Sequence, residues 1–274
     1  MFRAPADTEE QVTALAEELK RRGAKNVLVS MAGDGALLYT ETGEVYFAPA
    51  AKGTLINSTG AGDSMVGGFL AEFTRSGDFE KALAMGTAAV KASLDFESSF
   101  TSVRKTVDAT EAEFDALAAS SKAMSTQIAA STGEINEVMA TAGQLGIRND
   151  YLVDFARTMI DLGNSTDIVA NEAASTLAKF ANITNMDQSR FGNLGATLVD
   201  LGNKFATTES SIMDMSLRLA AAGHQVGLSE AQILGFAAAL SSVGIEAEMG
   251  GSAFSKALVK MEVAAATGGE ALED

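Results

Sequence analysis

Residues 53–73 read GTLINSTGAGDSMVGGFLAEF, and this stretch decides the fold class of the first part of the chain. Residues 53–57 have the apolar, β-branched character of an extended segment. Gly60 and Gly62 then mark a turn, and apolar residues recur at helical spacing from Met65 onward. An extended segment, a glycine turn and an amphipathic helix in this order are typical of an α/β fold.

The turn at residues 60–63 has the features of an anion-binding site. Gly60, Ala61 and Gly62 have little or no side chain, so backbone amides at the start of the helix can converge on an anion. Asp63 would repel a phosphate unless its carboxylate accepts a proton from an attacking hydroxyl. The residues alone leave two interpretations open: a base beside an anion hole for phosphoryl transfer, and an ordinary helix start among turn glycines.

The residues before this turn predict further elements of an α/β unit. Asp7, with Glu10 three residues later, predicts a capped helix start, and Gly23 predicts the end of that helix. Residues 26–30 (NVLVS) predict a buried parallel strand.

A hairpin and an amphipathic helix complete the first part. Residues 36–40 and 44–47, joined by a turn at residues 41–43, predict the β-hairpin. Unpaired strand edges within residues 26–57 predict self-association. The apolar face of the helix after the glycine turn is predicted to consist of Met65, Val66, Phe69, Leu70 and Phe73.

Residues 30–36 (SMAGDGA), the hairpin and residues 57–65 (NSTGAGDSM) together resemble the ribokinase-like (PfkB) carbohydrate kinases. The likeness covers roughly residues 8–88 and is greatest for the 1-phosphofructokinase and tagatose-6-phosphate kinase branch. It implies a partial ribokinase-like sheet with helices, and ATP and Mg²⁺ as cofactors if the segment is functional. The site residues that the resemblance implies are Asp63 as the base that deprotonates a sugar hydroxyl, Gly60, Ala61 and Gly62 as the anion hole, and Ser30, Gly33 and Gly35 beside the nucleotide.

The sequence departs from these kinases in length. Their sugar-binding residues and lid strands lie mostly in the first two-thirds of a much longer chain, and nothing comparable precedes the matching motifs here. A base and an anion hole without a sugar pocket cannot position a substrate, and positioning supplies much of the rate acceleration. We therefore expect residues 1–88 to be a truncated kinase segment without activity of its own. The alternatives are a nucleotide-binding remnant and a working sugar-phosphate phosphotransferase.

Beyond about residue 88 the pattern predicts a mainly α-helical repeat region. Strand-type alternation disappears, and no proline follows Pro49. Residues 161–164 (DLGN) recur 39 residues later at residues 200–203. Units of about 40 residues with two helices each cannot bury their apolar faces alone, so we expect neighbouring units to stack. The methionines of this region predict adaptable packing: Met139, Met159, Met186, Met213, Met215 and Met249.

Residues 95–110, 200–210 and 240–256 resemble the N-terminal core of phage tail tape-measure proteins, a likeness that runs from about Val90 to the end of the chain. It implies a virion structural protein in the tail lumen that assembles with phage tail tube proteins and tail assembly chaperones. The chain thus looks like a fusion of a kinase segment (1–88) and an all-α tape-measure-like segment (89–274). The seam is expected between Met85 and Ala92, inside one helix and without a linker. Self-association and a location in the host-cell cytoplasm and the virion tail are also expected.

Composition excludes several kinds of site. The chain has no cysteine, which excludes disulfides and thiolate metal sites, and its single histidine, His224, argues against His-pair metal sites and a Ser-His-Asp triad. We expect no metal site; Glu246 and Glu248 are interpreted as part of a solvated loop. The net charge of −16 argues against nucleic acid as a partner and leaves either a solvated acidic surface or a docking surface for a basic partner. No apolar run is long enough to span a membrane, so a soluble protein is expected.

Overall fold

The structure, a computed structural model, describes residues 8–50 and 60–267. The chain divides into two compact units, Met1–Ser98 and Ser99–Asp274. The division falls within a continuous helix, Phe79–Thr106, which also contains the expected seam between Met85 and Ala92. The domain boundary at residue 88 stays a prediction.

The first unit contains a small sheet, two helices and the first part of a third helix, which continues into the second unit. A 3-10 turn, Ala32–Asp34, connects the first two strands. The elements are α1 (Glu9–Arg21), β1 (Val27–Ser30), β2 (Ala36–Tyr39), β3 (Val45–Ala48), α2 (Ala61–Ser76) and α3 (Phe79–Thr106).

Up to residue 267, the second unit continues from the end of α3 with helices and the turns between them. A 3-10 turn, Gln188–Arg190, precedes one of them. Its helices within the described residues are α4 (Glu111–Ser125), α5 (Thr132–Gln144), α6 (Asn149–Ser165), α7 (Ala170–Thr184), α8 (Phe191–Lys204), α9 (Glu209–Gln225), α10 (Glu230–Ser242) and α11 (Ala247–Thr267). The predicted order, an α/β fragment followed by a mainly helical region, is confirmed.

The predicted hairpin is confirmed, whereas the predicted parallel strand is wrong. Strands β2 and β3 pair antiparallel with Tyr39 opposite Val45, and Gly43 takes a left-handed φ of +87° in the turn between them. Strand β1 also pairs antiparallel with β2, with Val27 opposite Tyr39, and its other residues are only half-buried or exposed. The short turn Ala32–Asp34 explains this pairing, because a parallel neighbour needs a long crossover connection.

Both ends of α1 carry capping motifs. Thr8 is the N-cap and accepts a hydrogen bond from the Gln11 amide at 3.3 Å, whereas the expected cap, Asp7, lies outside the described residues. The predicted end at Gly23 is confirmed: this residue has a φ of +109°, and the Ala24 amide donates to the Leu19 carbonyl at 3.2 Å. This six-to-one bond closes the C-terminus of α1.

Helix α2 packs against the sheet and α3, but its apolar face is narrower than predicted. Met65 and Phe69 are buried, whereas Val66 and Leu70 are 48% and 54% exposed. An added Cβ at Gly68 would lie 2.9 Å from the carbonyl oxygen of Met85, so the two helices approach closely there. The buried residues of this core are Ala36, Leu38, Ala48, Met65, Phe69, Ala82 and Leu83.

The helices of the second unit form two stacked rows. In one row α5 packs on α7, α7 on α9, and α9 on α11; in the other α4 packs on α6, α6 on α8, and α8 on α10. The buried apolar residues of α6 include Leu152, Phe155, Met159 and Ile160. Stacking of successive helix pairs is the arrangement that the sequence repeat predicts.

The repeated DLGN segments occupy equivalent places in this stack. An added Cβ at Gly163, in the last turn of α6, would lie 3.0 Å from the Cβ and the amide nitrogen of Ala170 at the start of α7. An added Cβ at Gly202, in the last turn of α8, would meet the side chain of Glu209 at the start of α9. Each contact joins residues that are seven positions apart. The 39-residue sequence repeat therefore corresponds to one stacking step, which is the advance from one helix to the next in the same row.

Three helices of one row end in the same way. Each has a left-handed residue after its last turn, followed by an apolar residue whose amide closes a six-to-one hydrogen bond. These bonds run from Ile147 to the Ala142 carbonyl (3.0 Å), from Met186 to that of Ala181 (2.9 Å) and from Leu228 to that of Gly223 (2.9 Å).

A buried polar cluster links α3, α4 and α5. The Ser121 hydroxyl donates to the Asn136 side-chain oxygen at 2.6 Å, and the Asn136 amide donates to the Ser99 hydroxyl at 2.8 Å. Asn136 and Ser121 are fully buried. Their mutual hydrogen bonds offset the cost of removing these groups from water.

Candidate functional site

The candidate anion hole lies at the N-terminus of α2. Gly60 is the N-cap residue, with a left-handed φ of +84°, and its carbonyl accepts the first intrahelical bond from the Ser64 amide at 2.9 Å. The amides of Ala61, Gly62 and Asp63 are therefore the first three of the helix, which have no acceptor within it. They lie at the positive end of the helix dipole.

The space around these amides is open within the described residues. Gly60, Gly62 and Asp63 are exposed, and Ala61 is half-buried. An added Cβ at Gly60 or Gly62 would meet no described atom within 4 Å. The backbone conformation accounts for glycine at position 60, whereas the described residues give no steric reason for glycine at position 62.

The Asp63 carboxylate occupies the first turn of α2 beside these amides. In the part of the chain that the structure describes, no hydrogen bond or ion pair engages it. A carboxylate in this state can accept a proton from a hydroxyl brought next to it. The catalytic role of Asp63 stays a prediction.

The candidate nucleotide residues Ser30, Gly33 and Gly35 follow β1. Ser30 and Gly33 are exposed at the end of the strand and in the 3-10 turn. Gly35 is buried with a φ of +115°, and an added Cβ would lie 2.1 Å from the carbonyl oxygen of Ala48. Gly35 therefore has a structural reason to be glycine, because the start of β2 passes directly against the end of β3. A role beside a nucleotide stays a prediction for all three.

The two groups of candidate residues belong to the same compact unit. The chain between them includes residues 51–59, which lie outside the described residues, as do Asn57, Ser58 and Thr59 of the kinase-like motif. No hydrogen bond between the groups occurs among the residues that are described.

The described part of the second unit has no cluster of candidate residues like that at the start of α2. Residues 99–267 contain no group of three or more His, Asp or Glu side chains placed to hold a metal ion. His224 is exposed in the last turn of α9. Glu248 lies 3.3 Å from Arg218, an ion pair that sequence reasoning missed.

Asp167 makes a structural contact between successive repeats, which sequence reasoning missed too. Its carboxylate accepts hydrogen bonds from the amide of Ser210 at 3.1 Å and from the hydroxyl of Ser210 at 2.5 Å, in the first turn of α9. Burial acts to raise the pKa of Asp167, but the hydrogen bonds from Ser210 outweigh it and hold this pKa below its usual range. Asp167 thereby caps a helix 43 residues further along the chain.

Among residues 8–50 and 60–267, no helix combines the length and the apolar character that crossing a bilayer requires.

Comparisons with known proteins divide the chain in the same way as its fold. Residues 1–102 match the pfkB family carbohydrate kinase model. A 1-phosphofructokinase of Bacillus subtilis (strain 168) is 46% identical over 86 residues, which are 31% of this chain and 28% of that protein. A deoxyribokinase of Salmonella typhi is 37% identical over 79 residues, 29% of this chain and 26% of that protein.

The helical part matches phage proteins. A probable tape measure protein of Halomonas phage phiHAP-1 is 26% identical over 207 residues, 70% of this chain and 24% of that protein. The chain thus spans about a quarter of the length of each of these relatives. No solved structure matches it significantly. Residues 118–274, more than half of the chain, match the phage-related minor tail protein model. The chain therefore belongs to the family of phage-related minor tail proteins, and it carries a pfkB-type carbohydrate kinase segment at its N-terminus.

Proposed function

We propose that this chain serves as a structural component of a phage tail, and that its kinase segment does not catalyse phosphoryl transfer. The observation that carries the proposal is the pair of stacked helical rows, which occupy most of the second unit. Stacked helix pairs build an extended scaffold whose contacts are with nearest neighbours.

Side chains that bridge successive repeats support a scaffold role. The Gln188 side chain accepts from the Arg148 amide at 2.8 Å and donates to the Gly146 carbonyl at 3.1 Å. Asn182 donates to the Leu145 carbonyl at 3.0 Å, and Asp167 binds Ser210 as described. These bonds satisfy backbone groups at helix ends, so each repeat stabilises the termini of its neighbour.

The proposed partners are phage tail tube proteins and tail assembly chaperones, and the proposed location is the virion tail after assembly in the host cytoplasm. The test is to co-express the full chain with a tail tube protein and its chaperones and to analyse the complexes by affinity purification. We expect co-purification with tube subunits. Leu177 is fully buried in α7, so Leu177→Asp should abolish the complex, whereas Ala119→Glu on the exposed surface of α4 should not. A tube that assembles without retaining the wild-type chain would contradict the proposal.

A nucleotide-binding remnant is the second candidate, and one specific observation favours it. The amides at the start of α2 have no intrahelical acceptor, and the space in front of Gly62 is open within the described residues, so these residues fit a phosphate group. When bound, ATP with Mg²⁺ would supply the phosphoryl group. The chain's own contribution would be the amides of Ala61 and Gly62 and the carboxylate of Asp63.

Two measurements on the full chain separate these functions. We expect no ATP-dependent phosphorylation of fructose 1-phosphate or tagatose 6-phosphate. A rise in melting temperature with ATP and Mg²⁺ that Gly62→Val removes would identify a nucleotide-binding remnant. Phosphorylation that Asp63→Ala abolishes would overturn the proposal and identify a working phosphotransferase.

A further inference from the structure

The fifth residue of a helix faces the preceding helix at both ends of the row formed by α5, α7, α9 and α11. In α5 this residue is Asn136, whose side-chain amide donates to the Ser99 hydroxyl of α3 at 2.8 Å. In α11 it is Gly251, where an added Cβ would lie 2.6 Å from the Cβ of Arg218 in α9. The position therefore marks the surface on which successive helices of the row meet.

Of the four helices in this row, α5 alone has a polar side chain at that position. The fifth residues of α7 and α9 are Ala174 and Met213, which are both buried. Apolar packing is non-directional, so such residues do not distinguish one apolar neighbour from another. Asn136 is fully buried as well, and its side-chain amide and oxygen need hydrogen-bond partners.

Asn136 finds these partners in two other helices. The Ser121 hydroxyl of α4 donates to its side-chain oxygen at 2.6 Å, and the Ser99 hydroxyl of α3 accepts from its amide. A helix without a hydroxyl at the place of Ser99 would leave this amide buried and unpaired. An unpaired buried amide costs more free energy than an ordinary hydrogen bond contributes.

The end of α3 fits this face of α5 closely. An added Cβ at Gly143, in the last turn of α5, would lie 2.5 Å from Cγ2 of Val107 and 3.0 Å from the carbonyl oxygen of Thr106. Phe100 of α3 is buried and meets Phe114 of α4 edge-on, with ring centroids 6.4 Å apart. The end of α3 thus occupies the place before α5 that a repeat helix occupies before each later helix of the row.

A stack of similar repeats needs a feature that ends it, because each internal interface resembles the next. A surface that accepts a repeat helix of its own chain can also accept one from a second copy, and head-to-tail contacts of this kind form open filaments. Asn136 opposes such a contact, because an apolar repeat helix does not satisfy its amide.

We propose that Asn136 ends the row at α5 by reserving this face for α3, with Ser99 and Ser121 as the residues that satisfy it. Asn136 is then a specificity-determining residue, which excludes a second copy of this chain from the face. The proposal rests on the geometry of the repeats and is independent of the tail function and of nucleotide binding.

The first experiment measures self-association of the full chain by light scattering over a range of concentrations. The test variant combines Ser99→Ala, Ser121→Ala and Asn136→Leu, which makes the face apolar without leaving an unpaired partner. We expect its association constant to exceed that of the wild-type chain at least about tenfold, because no unpaired amide then opposes a second copy. An association constant equal to that of the wild-type chain would overturn the proposal.

Ser216→Ala is the matched control for this variant. Ser216 is fully buried, and its hydroxyl donates to the Met213 carbonyl of its own helix at 2.8 Å. The substitution therefore removes a buried hydroxyl without changing a hydrogen bond between helices, and association should stay at the wild-type level.

The second experiment asks whether the added association uses this face, and it relies on the absence of native cysteine. Val107→Cys and Gly143→Cys are added to the triple variant, since the close approach of these positions brings their Cβ atoms within disulfide reach. Oxidation should lock α3 on α5 and return association to the wild-type level, and reduction should restore the higher level. Association that persists in the oxidised chain would contradict the proposal, because the copies would then meet elsewhere.

Discussion

At the scale of single residues, Asp167 shows how one side chain joins two repeats. It lies in the connection between α6 and α7, yet its carboxylate binds the first turn of α9 through Ser210. A carboxylate at a helix N-terminus is stabilised both by free amides and by the helix dipole. The ionised form of Asp167 therefore stabilises the stack.

This contact predicts a pH-dependent contribution to stability. Because the pKa of Asp167 is depressed in the folded chain, its contribution is present above the ordinary aspartate value and is lost as the pH falls below about 4. Asp167 is exposed, so solvent screening limits the effect, and we expect Asp167→Asn to cost about 0.5 kcal/mol at neutral pH. Urea unfolding of the wild-type chain and of the Asp167→Asn variant, at neutral and at acid pH, measures this difference in the free energy of unfolding. A difference that persists unchanged in acid would contradict the assignment to the charged form.

Sequence reasoning could not have identified Asp167 or Asn136. The partner of Asp167 is 43 residues away, and the partners of Asn136 come from two other helices. Neither residue stands in a local pattern that distinguishes it from a solvated polar residue. Thr208 and Ser229, in contrast, were predictable as N-caps, because each accepts a hydrogen bond from an amide three residues later.

At the scale of elements, the repeated glycines predict a matched pair of substitutions. Gly163 faces the backbone and Cβ of Ala170, which cannot move away, whereas Gly202 faces the end of the Glu209 side chain, which can. Alanine gains up to about 1 kcal/mol over glycine from helix propensity. We therefore expect Gly202→Ala to raise the free energy of unfolding and Gly163→Ala to leave it unchanged or lower it. Denaturant unfolding of the two variants gives the comparison; equal stabilisation of both would show that the close approach at Gly163 is not constraining.

The helices and strands also show which structural features can be predicted from the sequence. The hairpin and the helices were predictable because their turn residues and apolar periodicity are local. The direction of β1 was not, since an apolar run such as residues 27–29 suits either pairing, and the short turn to β2 decides it. Val66 and Leu70 continue the helical periodicity of α2, yet both lie outside the face that packs on the sheet and α3. The carboxylate and amides at the start of α2 were placed correctly by the glycine turn, while their chemistry stays a prediction.

At the scale of the whole molecule, equivalence of the repeats predicts that one complete step can be removed. Deletion of residues 164–202 joins Gly163 to Asn203 and leaves six residues between Gly163 and the start of the next helix, as in the intact chain. We expect the shortened chain to keep its helical content per residue and to unfold cooperatively at a lower temperature, because one stacking interface is lost. Circular dichroism measures the helical content, and thermal unfolding followed by the same signal measures the unfolding temperature and its cooperativity. Deletion of half a step, residues 164–183, is the control and should abolish cooperative unfolding; equal behaviour of the two deletions would contradict structural equivalence.

The same 39-residue repeat determines how much each residue adds to the length of a stacked row of helices. Packed helices lie about 9 Å apart, so a full repeat extends a row by about that distance. A continuous helix of equal size would be about 58 Å long, since each residue adds about 1.5 Å. The stacked rows thus yield roughly one-sixth of the length per residue that a single helix yields. A gene rearrangement that adds or removes one repeat would change the reach of this segment by less than a nanometre.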